Sequence, residues 1–248
     1  MNSTLNSAID VSRGHRFFGE LTEQLSADGP IELHRLRAVA QYVAENPTRF
    51  LSWLKEILQD GVAMRVAAAR SYWHPNGFAK LVLHTSAEPE FRIRLHVWPL
   101  ISDEPPAGES NPHSHRWEFA STVLAGGGLH MEEFEETTRS GKLFDRYRYG
   151  ADPANRAALL SDGAVRLKRV AAPHVRRGAV YQCDTDVVHT VRPIEAGLTA
   201  TVVIQGPRRV RSTVVYCEPG QSDDQPNGML TEEQFRWLLK SVVAEAGA

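Results

Sequence analysis

HSHRWEFASTVLAGGG, residues 113–128, opens with two histidines one residue apart and runs through apolar strand formers into three glycines. Side chains alternate faces along an extended backbone, so His113 and His115 point one way and Ser114 the other. That spacing lets two imidazoles converge on one metal ion. Two ligands leave a metal under-coordinated, so a third must come from elsewhere in the chain. The candidate is His189 in GAVYQCDTDVVHTV, residues 178–191, where a glycine-led strand meets the turn-like Asp184-Thr185-Asp186 and a new strand begins near the histidine.

Outward from this stretch, about Gly77 to Cys217 consists of short segments rich in Val, Ile, Leu, Thr and Tyr, separated by Gly, Pro and Asp clusters. Many short strands with turn signals predict a mainly β domain, an antiparallel sandwich or jelly-roll barrel. DPANRAALL, Asp152 to Leu160, reads as a short helix or lid between strands. Before the strands the pattern is helical from about His15 to Arg70. Phe50, Leu51, Leu54, Ile57 and Leu58 recur on one helix face, after a break at Asn46-Pro47. At the other end Thr231 and Gln234 fit a capping box ahead of an apolar stripe of Phe235, Leu238, Leu239, Val242 and Val243. SDDQPNG, residues 222–228, reads as an exposed turn. The expected division is a helical region over 1–76, the barrel over 77–220, and a turn and helix over 221–248.

Composition narrows the function classes. The 248 residues are 42% hydrophobic and 23% charged, with a formal charge of -2. No basic excess argues for nucleic acid, and GPRRVR at Gly206 to Arg211 is too short to supply one. The first residues lack the charged start and apolar centre of a secretory signal, and no run approaches a membrane span. Cys183 and Cys217 stand alone, so neither a disulfide framework nor a zinc knuckle is indicated. The expectation is a cytoplasmic protein with reduced thiols and a small-molecule partner, with neither nucleic acid nor membrane as a partner. Edge strands leave room for a homodimer.

His113-Ser114-His115 running to Gly126, with Gly178 through Asp184 to His189, resembles the two motifs of the cupin superfamily. The resemblance implies a cupin-type barrel with metal at the three histidines. Cupins often add a glutamate, and Glu118 invites that role, but regular alternation sends it to the face opposite His115. A finer likeness, over roughly Phe50 to Pro207, is to the cysteine dioxygenase-type thiol dioxygenases, which bind ferrous iron with three histidines and no carboxylate. It implies a pocket-lining strand ending in Trp, here EFRIRLHVW, and places the substrate-holding cation at Lys80. The sequence also departs from that family. TATVVIQG supplies Thr201, Val203 and Gln205 where the family has a Ser-His-Tyr set, and Phe119 stands where some members carry a crosslinking Cys. Cysteine itself is therefore a doubtful substrate.

Alternation alone puts Phe91, Ile93, Leu95 and Val97 on one face and Arg92, Arg94, His96 and Trp98 on the other. If the helices cover the apolar face, Arg92, Arg94 and Trp98 become substrate contacts along with Lys80, and inward cations favour an acidic ligand. The reverse orientation would put both arginines on the surface. His96, on the same face, and Tyr181, on the strand before His189, are the candidate catalytic side chains, Tyr181 as proton donor or substrate contact. His15, His34, His74 and His84 read as structural or surface residues, while His130 and His174 can approach a barrel mouth.

Three imidazoles leave open positions on a divalent metal, which suits Fe(II) with dioxygen as cosubstrate. With no nicotinamide fingerprint, electrons would come from the substrate. The first expectation is an iron(II) oxygenase or dioxygenase acting on a small anionic substrate. The alternatives are a non-redox metal-dependent isomerase, lyase or hydrolase, and a non-catalytic cupin that binds a small ligand.

Overall fold

The structure, a computed structural model, describes residues 16–27, 29–74, 76–100, 109–151, 157–221 and 227–248. Four helices come first: α1 (Arg16–Ser26), α2 (Leu33–Glu45), α3 (Pro47–Gln59) and α4 (Gly61–Ala68). Pro47 starts α3, where its missing N–H is no loss. The helical stretch then breaks at Asp60, whose Oδ1 accepts from Val62 N at 2.8 Å and Ala63 N at 3.1 Å and so caps α4. The last helix, α5 (Glu232–Gly247), begins with the expected capping box between Thr231 and Gln234. Among the described residues no helix is long and apolar enough to cross a membrane.

The strands are β1 (Tyr72–His74), β2 (Phe78–Ala87), β3 (Glu90–Trp98), β4 (Glu109–His113), β5 (Trp117–Ala125), β6 (Leu129–Thr137) and β7 (Lys142–Ala151). They continue with β8 (Ala157–Ala171), β9 (His174–Val175), β10 (Val180–Cys183), β11 (Val188–Pro193), β12 (Thr199–Arg208), β13 (Thr213–Cys217) and β14 (Gly228–Met229). One sheet has the order β10-β5-β12-β3-β2-β1-β14 and the other β11-β4-β13-β7-β8-β6-β9, with all the pairings antiparallel. β6 also pairs with β11, so β4, β13, β7, β8, β6 and β11 form a closed ring of pairings. The result is a mainly β jelly-roll-type sandwich with helices before and after it.

Two expectations change. DPANRAALL is not a helix or lid over its second half, because Ala157 to Leu160 open β8, paired with β7; residues 152–156 lie outside the described residues, as do 222–226 of the expected SDDQPNG turn. The first sheet also begins at Tyr72 and takes in β14, so it extends past both ends of the 77–220 span.

The helices cover the outer face of the first sheet. Phe91, Ile93, Leu95 and Val97 of β3 join Ala200, Val202 and Ile204 of β12 in one core with Phe17, Leu36, Val39, Phe50, Leu54, Phe235 and Leu238 from the helices. Each fully buried Leu or Phe contributes roughly 1.5–3 kcal/mol. That face is settled by apolar area, and the alternate residues of β3 are thereby turned into the sandwich.

At the helical corner Glu20 of α1, Tyr42 of α2 and Arg49 of α3 meet. Tyr42 donates to Glu20, and Arg49 donates to Glu20 at 2.9 Å and to the Tyr42 hydroxyl at 2.7 Å. The hydrogen bond from Arg49, then that from Tyr42, lowers the Glu20 carboxyl to about 2. Because the folded value is depressed, this contribution is complete above the ordinary carboxyl range and is lost as pH falls toward 2. Denaturant titrations across pH should show wild type more stable than Glu20→Gln at neutral pH, with the difference shrinking below pH ~4 and gone near pH ~2.

After β5 the chain turns at Gly126, where φ is +83° and an added Cβ would lie 2.5 Å from Leu198 O and 2.9 Å from Thr199 Cα. Both contacts are with backbone that cannot swing aside. Gly126→Ala is expected to cost about 1–3 kcal/mol, read as a lower denaturation midpoint with an unchanged slope.

Candidate metal centre

His113 and His115 do not share one strand. His113 ends β4 in the second sheet, His115 lies in the link 114–116, and β5 begins in the first sheet. The chain therefore crosses between sheets inside the His-Ser-His motif. Ser114 pins the crossing to β13: its N–H donates to Val214 O at 3.0 Å, its Oγ accepts from Val214 N at 3.2 Å, and its Oγ contacts Thr213 Oγ1 at 2.9 Å. With Ser114 turned toward β13, the two flanking imidazoles face the other way.

The second crossing lies alongside. β10 ends at Cys183 in the first sheet, the turn closes with Val187 N donating to Asp184 O at 3.4 Å, and β11 carries His189 into the second sheet. There His189 is directly opposite His113. The three imidazole ligand atoms lie within 4.8 Å of one another, and His115 Nε2 is 3.1 Å from His189 Nε2. Two ring nitrogens that close without a shared proton would repel, whereas a cation between them satisfies both. Among the described residues no carboxylate or thiol joins the group.

The distal nitrogens are held as metal-ligating histidines require. His113 Nδ1 is 2.9 Å from Asn111 O, which fixes Nδ1 as donor and frees Nε2 for the site. His189 Nδ1 is 3.7 Å from Cys183 Sγ, and that thiol donates in turn to Asp184 O at 3.5 Å. His189 and Cys183 are both buried. Glu118 takes the opposite face, as alternation requires, and is ion-paired with Arg209 at 2.9 Å.

Around the triad the first sheet presents its inner face. Phe119 meets His115 edge-on at 5.1 Å, and Trp117 stacks on His115 at 6.0 Å. Arg94 is buried and reaches the Trp117 ring with its Cζ 5.6 Å from the centroid. Arg92 is paired across to Gln205, and Gln205 to Phe119, forming one row at the histidine end. The next row holds Ser121 opposite Tyr181, whose ring is 6.0 Å from Phe119. Arg92 Nε, Gln205 Oε1, Ser121 Oγ and Thr201 Oγ1 are buried with no hydrogen-bond partner among the described residues. Such atoms need water or a polar ligand.

The inward set divides along β3. Arg92 and Arg94 belong to the histidine end with Tyr181. His96 is opposite Lys80 and Thr201, and Thr201 is opposite Val123, four residues beyond Phe119 and thus roughly 13 Å along the strand. There His96, Lys80 and Trp98 gather around Phe78, with Trp98 stacked on it at 4.9 Å, against Met131, Val175 and Val191. Trp117 rather than Trp98 is the tryptophan beside the triad. Alternation carries the signal for it, since His113, His115, Trp117 and Phe119 have the same parity, as do Tyr181 and Cys183. His130 and His174 are 4.9 Å apart, with Glu132 close to His130 at 3.7 Å, and neither joins the triad.

No family model matches the chain, and no curated protein matches it. Solved structures give loose likenesses. Oxalate oxidase in complex with the substrate analogue glycolate is 15% identical over 56% of this chain and 55% of that one, with a TM-score of 0.31. Iron(II) HppE in complex with substrate is 14% identical over 52% of each chain, with a TM-score of 0.29. Protein SO0799 from Shewanella oneidensis is 9% identical over 57% of this chain and 75% of its own, with a TM-score of 0.31. The chain spans about half the length of the first two. Likenesses this loose carry neither a family nor an activity to this chain, and the chemistry of the site stands on its own geometry.

The Cys183 contact is open to test through metal affinity. Cys183→Val, which keeps the volume and removes the hydrogen bond, is expected to weaken metal binding about 10–100-fold in competition with a chromophoric chelator, while Cys183→Ser loses less.

Proposed function

We propose that this chain is a non-heme iron(II)-dependent cupin oxygenase that acts on a small anionic organic substrate with dioxygen as cosubstrate. The observation that carries the reading is the donor set: His113, His115 and His189 converge within 4.8 Å, with no carboxylate among them. Three neutral nitrogen donors suit a divalent transition metal and do not fill its coordination sphere. Bound there, iron(II) supplies the one-electron chemistry and the open positions that let an organic substrate and dioxygen react.

The chain's own residues do the rest. Asn111 O and Cys183 Sγ hold His113 and His189 in the orientation that aims Nε2 inward. Arg94, buried against Trp117, and Arg92 give the histidine end positive charge, which favours a carboxylate or similar anion. The buried polar atoms of Gln205, Ser121 and Thr201, which have no partner among the described residues, orient the remainder of the substrate by hydrogen bonds. Trp117 and Phe119 wall the site from bulk water. Tyr181 lies on the same inner face and can hold or deliver a proton at its phenolic oxygen. In this reading His96, Lys80 and Trp98 shape the deeper end of the substrate space. The same reading puts the protein in the cytoplasm, with a small molecule rather than nucleic acid or a membrane as its partner, and leaves a homodimer open to it.

Elemental analysis of protein purified without chelator tests the site. Near-stoichiometric iron is expected in wild type and loss of it in His113→Ala and His189→Ala. Iron-loaded protein should then consume dioxygen with a member of a panel of small carboxylates, amino acids and thiols, and both variants should fall to background. Turnover without dioxygen would replace the oxygenase with a non-redox metal enzyme. Failure to hold any metal after reconstitution would remove the metal site and leave a small-ligand-binding protein.

A further inference from the structure

Three buried polar atoms at the histidine end differ in what they can donate or accept. Arg92 is directly across from Gln205, and Gln205 from Phe119, in one row over β3, β12 and β5. In the next row Ser121 is directly across from Val203 and Tyr181. Directly opposed residues share a face and bring their Cβ atoms to roughly 4.5–5.5 Å, so Arg92, Gln205 and Phe119 border one small volume. The Phe119 ring lies 5.1 Å from His115, which puts that volume next to the triad.

Gln205 is 2% exposed and Ser121 0%. Arg92 Nε, Gln205 Oε1 and Ser121 Oγ have no hydrogen-bond partner among the described residues. The first only donates, the second only accepts, and the third does either. An acceptor buried this deeply is costly unless something donates to it. A bare carboxylate satisfies Arg92 and Ser121 but sets its own oxygen against Gln205 Oε1. The ligand that satisfies all three carries a hydrogen-bond donor beside its anionic group.

That donor is a hydroxyl or an ammonium, and charge separates the two. Arg92 faces Gln205 directly, and Arg94 is buried two residues further along the same face of β3. An ammonium at Gln205 would lie against the Arg92 guanidinium, whereas a hydroxyl brings no charge. The carboxylates of this end stand elsewhere. Glu90, two residues before Arg92, accepts from Arg208 N at 3.4 Å, and Glu133 is across from His189 on the second sheet.

Resting on the reading of the triad's surroundings as a substrate site, we infer that the substrate is a small hydroxy carboxylate. Its carboxylate lies at Arg92 and Ser121, and its hydroxyl donates to Gln205 Oε1. Because Arg92 and Gln205 border one small volume, the hydroxyl is on the first or second carbon from the carboxylate. Gln205 is then the residue that tells a hydroxy acid from the same acid without the hydroxyl.

Isothermal titration calorimetry of the full chain as isolated, with 2-hydroxybutyrate, 3-hydroxybutyrate, butyrate and 2-aminobutyrate, tests this. At least one hydroxy acid is expected to bind about tenfold or more tightly than butyrate, and more tightly than 2-aminobutyrate. Gln205→Met, which keeps the length and removes the acceptor, should bring that hydroxy acid down to the level of butyrate and leave butyrate unchanged. If circular dichroism shows Gln205→Met unfolded, Gln205→Asn, which draws the amide back by one carbon, takes its place. Arg92→Gln should weaken the hydroxy acid and butyrate alike. Absence of saturable binding of either hydroxy acid in the low millimolar range overturns the inference. So does binding of butyrate or 2-aminobutyrate as tight as that of the hydroxy acids. A hydroxyl preference that survives in the folded Gln205 variant overturns it too, because the metal rather than Gln205 then holds the hydroxyl. Dioxygen uptake separates this from the oxygenase reading. Uptake with an acid that has no hydroxyl overturns the inference and leaves the oxygenase standing, whereas a preference lost in Gln205→Met with no uptake supports the inference and removes the oxygenase.

Discussion

The hydrogen bonds that bind Ser114 to Val214 and Thr213 hold the one crossing on which the site depends. Without them the link from β4 to β5 has no fixed path between the sheets, and His113 and His115 have no reason to face the same point. The crossing from β10 to β11 lies beside it because β10 pairs with β5 and β11 pairs with β4, so both strand partners change sheets together. The three histidines meet where the sandwich is least regular. A regular strand spaces same-face side chains too far apart to put three imidazole nitrogens on one small ion, whereas two adjacent crossings bring their ends together.

The rest of the sandwich supports that end by a division of its inner face. Apolar area under the helices turns Phe91, Ile93, Leu95 and Val97 outward and leaves Arg92 and Arg94 no place except the interior. Burying cations and hydrogen-bonding atoms costs stability unless something satisfies them. The polar atoms of Arg92, Gln205 and Ser121 lie on the histidine half, while the far half, where Thr201 is opposite His96, closes with Phe78, Trp98, Met131 and Val191. A stability optimum would make both halves like the second. The first has the character of a site that a polar ligand completes.

The second sheet adds a feature of its own, since β6 pairs with β8 along one part of its length and with β11 along another. That double pairing closes the ring behind the strands that hold the histidines. His113 and His189 thus lie on strands hydrogen-bonded along both edges, β4 to β11 and β13 and β11 to β4 and β6, which limits how far their imidazoles can drift apart. The Glu136, Arg146 and Tyr216 network ties β6, β7 and β13 into the same body.

By itself the sequence determined the order of a helical, a strand-rich and a helical region, the capped terminal helix, the shared face of Arg92 and Arg94, and the identity of the three histidines. Each of these follows from local periodicity or from residue chemistry at short spacing. Parity also sent Glu118 away from the site, and the ion pair with Arg209 agrees. Read through, the same parity would have named Trp117 and Cys183, two residues beyond His115 and Tyr181. Only the tertiary structure decided that the His pair spans a sheet crossing and that Ala157 to Leu160 extend a hairpin strand rather than a lid. It also decided that His96, Lys80 and Trp98 lie at the far end from Arg92, and that a closed ring stands behind the metal strands. Those facts depend on which strands pair and in what register. Register is set by long-range burial and hydrogen bonding between segments a hundred or more residues apart, such as Ser114 with Val214 and Arg92 with Gln205. A period of two along one strand cannot say which partner lies beside it.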